Sequence, residues 1–153
     1  MGRFLPTESD TLELGAALAR GLRPGLVIYL QGELGAGKTT LARGLLRGLG
    51  YQGRVKSPTF TLVEPYSVSR LDLYHFDFYR FDNPQDLIDS GFREYFRSDA
   101  VCLIEWPDKG VGLPQADLRI SLQVAGTGRS VDLQANTEAG RLCLAALEDS
   151  NTT

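Results

Sequence analysis

The chain has 153 residues, 42% of them hydrophobic and 23% charged, with a net charge of −3. Its size suits one domain over residues 1–153 with one core, and its charge excludes a protein that grips nucleic acid mainly by its own positive field. No apolar run is long enough for a membrane span or a secretory leader, so a cytoplasmic location is the expectation. Two cysteines, Cys102 and Cys143, with no C-x-x-C and a single histidine, His75, give no expectation of a disulfide or a zinc site.

Residues 7–22 read as a helix, capped by Thr7 or Ser9, with Glu8 and Asp10 in the first turn and a stripe of Leu14, Leu18 and Leu22. The run 26–30 is short, apolar and bounded by Pro24-Gly25 and Gly32, which reads as a buried strand. Next comes Gly32-Glu33-Leu34-Gly35-Ala36-Gly37-Lys38-Thr39, which fits G-x-x-x-x-G-K-[ST], the pattern of a phosphate-binding loop. In such a loop main-chain N–H groups aim at phosphate oxygens, the lysine reaches the outer phosphates and the hydroxyl serves Mg²⁺. The context agrees, because a helix follows. Leu41, Leu45 and Leu49 recur every four residues, Leu46 widens that face, and Gly50 suits a C-terminal cap. Gly44 and Gly48 weaken this helix by about 1 kcal/mol each relative to alanine and suggest close packing against a strand.

Residues 51–58 form a connector ending in Ser57-Pro58. Residues 59–66 and 71–79 read as two strands rich in Thr, Val, Phe and Tyr, joined as a hairpin by the polar segment 67–70. Asp82-Asn83-Pro84 starts a helix, with Asn83 as cap and Pro84 in the first turn, interrupted at Gly91 and running toward Arg97. Residues 101–104 read as a second buried strand that ends at Glu105-Trp106-Pro107, with a loop over 108–115. Residues 117–124 and 129–135 alternate around Gly126-Thr127-Gly128 as an antiparallel hairpin, and 137–148 close the chain as a helix. The architecture that fits is α/β and P-loop NTPase-like: a parallel central sheet around the loop-bearing strand, antiparallel strands added at its edges, and flanking helices.

A nucleoside triphosphatase needs a carboxylate near the metal, at the end of a buried strand beside the phosphate loop. Glu105 stands there, after four apolar residues, and reads as that carboxylate or as an acid that simply begins a loop. Asp77 is a second candidate. Strand alternation puts it on one face with His75 and Tyr79, opposite Phe76, Phe78 and Arg80. It reads either as a site carboxylate or as half of an ion pair with Arg80 or a lysine. His75 could serve as a base, but a lone histidine in an aromatic strand reads better as a hydrogen-bonded core residue. Ser57 and Thr59 can face a nucleotide or simply begin a strand, and Trp106 can cover the site or simply pack.

These residues fall into four ordered motifs: the loop 32–40, Ser57-Pro58-Thr59-Phe60-Thr61-Leu62-Val63-Glu64-Pro65-Tyr66, Tyr74-His75-Phe76-Asp77-Phe78-Tyr79-Arg80, and Cys102-Leu103-Ile104-Glu105-Trp106-Pro107. With them the chain resembles the TsaE family (also called YjeE), small bacterial ATPases of tRNA threonylcarbamoyladenosine synthesis. The resemblance covers nearly the whole chain, although the C-terminal third shares only its strand–turn–strand–helix pattern, and Glu33 stands where the family usually has Asp. It implies slow, partner-stimulated ATP hydrolysis that resets a complex of TsaD and TsaB, with tRNA reached through that complex. It implies that Gly32, Glu33, Leu34, Gly35, Ala36, Gly37, Lys38, Thr39 and Thr40 form the nucleotide-binding loop and that Lys38, Asp77 and Glu105 carry the catalysis. Thr39 and Glu105 would hold Mg²⁺, and Asp77 would support the metal or the water. Ser57, Thr59, Arg80 and Trp106 would face a switch or a partner, and Pro6, Thr7 and Thr11 would border the adenine.

Other classes fit less well. A small P-loop kinase phosphorylating a small-molecule acceptor is the alternative, but it generally needs a long basic lid that this chain lacks. A GTPase would show N-K-x-D and D-x-x-G, and both are absent.

Overall fold

The structure is a computed structural model that describes residues 1–55, 63–68, 71–79, 83–97, 99–110 and 112–149. Its strands are β1 (Gly2–Leu5), β2 (Val27–Gln31), β3 (Val63–Val68), β4 (Leu71–Asp77), β5 (Val101–Glu105), β6 (Leu118–Ala125) and β7 (Gly128–Ala135). Its helices are α1 (Glu8–Ala19), α2 (Lys38–Gly48), α3 (Pro84–Asp89) and α4 (Glu138–Asp149). The strands form one sheet in the order β1-β7-β6-β2-β5-β4-β3. The four inner neighbours β6, β2, β5 and β4 pair in parallel, and β1, β7 and β3 join antiparallel at the two sides. This is the parallel centre with antiparallel edges that the sequence predicts.

Burial explains why β2 and β5 are near-continuous apolar runs. Both lie between parallel neighbours with cores on each face, so alternation disappears. On one face Ile28, Leu30, Leu73 and Leu103 pack beneath Leu14, Leu18, Leu41 and Leu45 of α1 and α2. On the other, Tyr29, Phe76, Phe78 and Ile104 pack with Phe92, at the start of a 3₁₀ segment over Phe92–Arg97. The helix predicted from Pro84 toward Arg97 therefore exists in two pieces. Gly91, at a φ of 76°, separates them.

Local signals fix the element ends. Thr7 Oγ1 accepts the Asp10 N–H at 3.2 Å and Asp10 Oδ2 accepts the Thr7 N–H at 2.9 Å, a reciprocal cap that starts α1. At the end of α2, Tyr51 N–H donates to Leu46 O and Gly50 N–H to Arg47 O, with Gly50 left-handed at 97°. That is a Schellman closure, and it carries out the predicted role of Gly50. Asp117 ties three elements together. Its Oδ2 accepts the Val27 N–H at 2.7 Å and its Oδ1 accepts the Thr137 hydroxyl at 2.6 Å, while Thr137 Oγ1 caps α4 through Gly140 N–H.

Four expectations need correction. Gly44 and Gly48 pack against α1 rather than a strand: a Cβ at Gly44 would collide with Leu12 O, and one at Gly48 would sit 2.7 Å from Ala16 Cα. The N-terminal strand β1 lies outside every predicted element. Ser67 and Val68, expected in the hairpin turn, belong to β3, and the expected strand residues 59–62 lie outside the described residues. Part of the expected loop after Glu105 is a short 3₁₀ turn, Pro107–Lys109.

Candidate functional site

A strand fixes where the sheet face ends, and here β2, β5 and β4 end side by side. Leu30 is in register with Glu105, and Glu105 with Asp77. Alternation then decides the face. Val101, Leu103 and Glu105 share the α2 side of β5, and Leu73, His75 and Asp77 share it on β4. The two carboxylates predicted to carry chemistry therefore emerge together, beside the loop that leaves β2.

That loop has the shape its glycines allow. Gly35 and Gly37 stand at φ of 81° and 104°, values costly for any residue with a Cβ. Gly32 is held close to β6, where a Cβ would lie 2.7 Å from Leu122 O. Ala36 N–H turns back onto Glu33 O at 3.0 Å. The first intrahelical bond of α2 runs from Leu41 N–H to Gly37 O, so the N–H groups of Lys38, Thr39 and Thr40 precede the helix's own ladder. The positive end of the helix dipole points the same way.

Lys38 is buried, 5% exposed. Its Nζ donates to Gly32 O at 2.6 Å, lies 3.9 Å from Glu105 Oε1, and sits 3.9 Å above the Trp106 ring. Burial lowers the lysine's pKa, and the charges of Glu105 and Asp77 partly restore it. Trp106 adopts a left-handed backbone at φ 56°, the only non-glycine residue to do so among the described residues, and its ring also contacts Tyr79. Asp77 is buried and its Oδ1 accepts the Tyr79 N–H at 2.9 Å. Desolvation pushes its pKa up, aided by the neighbouring Glu105 charge and opposed by the Tyr79 bond, His75 and Lys38.

These groups border a cavity of about 430 Å³, a size suited to a nucleotide-sized ligand. Lys38, Asp77, Glu105 and Trp106 line one part of it, and Leu34, Gly35, Gly37, Thr39 and Thr40 line another. Thr7 and Thr11 border it, together with Leu5 and Glu8. Pro6 is exposed and does not line it, nor do Gly32, Glu33 and Ala36. Ser57, Thr59 and Arg80 lie outside the described residues.

Two contributions escaped the sequence. Thr127 of the β6–β7 turn and Gly128 and Arg129 at the start of β7 line the cavity, and Arg129 Nη2 donates to Gly35 O at 3.2 Å. Gly126-Thr127-Gly128 marks the turn in the sequence, but only the sheet order brings it to the loop. His75 is a buried hydrogen-bonded residue as read, but its partner is Glu105, at 2.6 Å. No sequence signal gives this partner, because it depends on β4 lying beside β5. The cysteines lie elsewhere: both are free and buried, with thiols pushed up to about 12 for Cys102 and about 11 for Cys143 by burial, so neither is a nucleophile.

The donor set of Thr39, Asp77 and Glu105 is all oxygen, as a hard cation requires. Among the described residues no group of three or more His, Cys, Asp or Glu side chains could hold a metal ion unaided. Such a donor set fits Mg²⁺ brought in with phosphate oxygens rather than caged by protein.

The sheet order, the glycine loop between β2 and α2, and the carboxylates at the neighbouring strand ends define a P-loop NTPase-like α/β protein. A family model described as "Threonylcarbamoyl adenosine biosynthesis protein TsaE" matches residues 5–131. The chain is 42% identical over 153 residues to the tRNA threonylcarbamoyladenosine biosynthesis protein TsaE of Haemophilus influenzae, covering 96% of this chain and 97% of that one. It is 43% identical over 123 residues to the protein of the same name from Bacillus subtilis, covering 79% and 75%. A crystal structure of YdiB from Bacillus subtilis matches with a TM-score of 0.82 and 31% identity, over 99% of this chain and 95% of that one. The chain belongs to the TsaE family. No helix among its described residues is long and apolar enough to cross a membrane.

Proposed function

We propose that this chain is a Mg²⁺-dependent ATPase whose turnover serves threonylcarbamoyladenosine formation on tRNA, acting on a complex of TsaD and TsaB rather than transferring the group itself. The observation that carries the reading is the meeting of Lys38, Thr39, Asp77 and Glu105 in one cavity, at the mouth of a loop whose glycines are left-handed. The loop amides and Lys38 bind the phosphates. Lys38 Nζ, now on Gly32 O, transfers to a phosphate oxygen when ATP enters. Thr39 and Glu105 would hold the magnesium, whose charge would offset that developing on the phosphates. Asp77, close to Glu105 and raised in pKa, orients the attacking water or the metal's hydration shell. Thr7 and Thr11 border the base.

The family membership supports the pathway, and the names of the relatives support the RNA modification. Capture of TsaD and TsaB on the immobilised chain tests the partner reading: nucleotide-dependent capture is expected, and capture indifferent to ATP and ADP contradicts it. Phosphate release tests the chemistry. Glu105→Gln should keep nucleotide binding and lose most hydrolysis, and an unchanged rate contradicts the role given to Glu105. Free phosphate as product separates this reading from a small-molecule kinase, which would yield a phosphorylated acceptor.

A further inference from the structure

His75 is the sole histidine of the chain and is fully buried. Its Nε2 lies 2.6 Å from Glu105 Oε2, across the parallel β4–β5 pairing. Its Nδ1 is buried with no hydrogen-bond partner among the described residues. The second carboxylate oxygen, Glu105 Oε1, faces Lys38 Nζ on the cavity side. An ionised carboxylate only accepts hydrogen bonds, so this contact needs a proton on Nε2. The other tautomer would bury an unpaired N–H and set two acceptors face to face, which is the costlier arrangement.

We propose that His75 is a positioning residue for Glu105. Its Nε2–H grips Oε2 and so presents Oε1 to the metal and phosphate side of the cavity. This rests on the reading of the cavity as a Mg-ATP site. His75 itself touches neither nucleotide nor metal. A carboxylate already held by one oxygen has less torsional freedom to lose when the other is engaged, and loss of such an outer partner commonly lowers metal affinity by about 10- to 100-fold.

Two measurements on untagged protein test it. The first is a long-range ¹H–¹⁵N spectrum of the imidazole, which needs no assignment because there is one histidine. The expected pattern is a proton on Nε2, with the Nε2 signal shifted in Glu105→Gln. A ring protonated on Nδ1 alone overturns the proposal. The second is the Mg²⁺ dependence of the affinity for a fluorescent ATP analogue. His75→Leu should raise the half-saturating Mg²⁺ concentration by about tenfold or more, while affinity in EDTA stays at the wild-type value. His75→Gln, whose amide reaches about as far as Nε2, should recover most of the loss.

A folded His75→Leu protein with wild-type Mg²⁺ dependence overturns the proposal alone. If that variant does not fold, His75→Asn replaces it, since its amide is too short to reach Glu105; equal Mg²⁺ dependence in the Asn and Gln variants overturns the proposal. Wild-type protein that binds no nucleotide, with or without Mg²⁺, overturns the reading of the site and the proposal with it.

Discussion

Asp77 illustrates a side chain held at a cost. Desolvation raises its pKa above the unfolded value, so the folded state binds the proton more tightly than the unfolded one. The sign follows: stability falls as pH rises from the unfolded carboxylate value through the folded one, and stays lower above it. Asp77→Asn keeps an acceptor for the Tyr79 N–H and removes the buried charge. It should therefore melt higher than wild type at pH 7, with the advantage shrinking as pH drops below the carboxylate range. A variant that melts lower at pH 7, or whose advantage grows in acid, would contradict this. At this scale the sequence was informative about the carboxylates. Period-two alternation placed Asp77 opposite Phe76 and Phe78, and the apolar run before Glu105 placed it at a strand end. The His75–Glu105 bond was not legible, because it depends on which strand neighbours β4.

Among the elements, the α1–α2 pair offers the sharpest test. Helix propensity alone predicts that Gly44→Ala stabilises α2 by about 1 kcal/mol. The structure predicts the opposite sign, because the new Cβ would collide with the backbone of α1 at Leu12. Overpacking of this kind costs about 1–3 kcal/mol, readable as a lower urea midpoint at constant slope. A midpoint at or above wild type would show that α1 yields freely. The leucine stripes of both helices were legible, since they follow from a 3.6-residue period. Their partners were not. A small residue marks a close approach without saying whether a helix or a strand approaches, and Gly44 was assigned the wrong one. β1 was missed because four residues at an edge carry too little pattern. It exists through pairing with β7, Phe4 opposite Ser130. The cap of α1 was legible, and Thr7→Ala should cost about 1 kcal/mol of stability in the same denaturation experiment.

The whole molecule gathers its chemistry at one end of the sheet. Three parallel strands finish there, which is where open α/β sheets generally bind ligands. The fold class and the loop were readable from the sequence because a strand, a glycine turn and a helix are contiguous. The side of the cavity built from Thr127 and Arg129 was unreadable, because it depends on the hairpin docking beside β2 with its turn reaching Gly35, more than ninety positions away in the chain. Calorimetric titration of the purified chain with Mg-ATP, run beside Lys38→Ala, addresses this arrangement directly. Saturable binding to the wild type is expected, with affinity reduced at least about tenfold in the folded variant, a difference of about 1.4 kcal/mol. No binding by the wild type, or equal affinity in the two proteins, would show that the loop and its lysine do not hold the triphosphate.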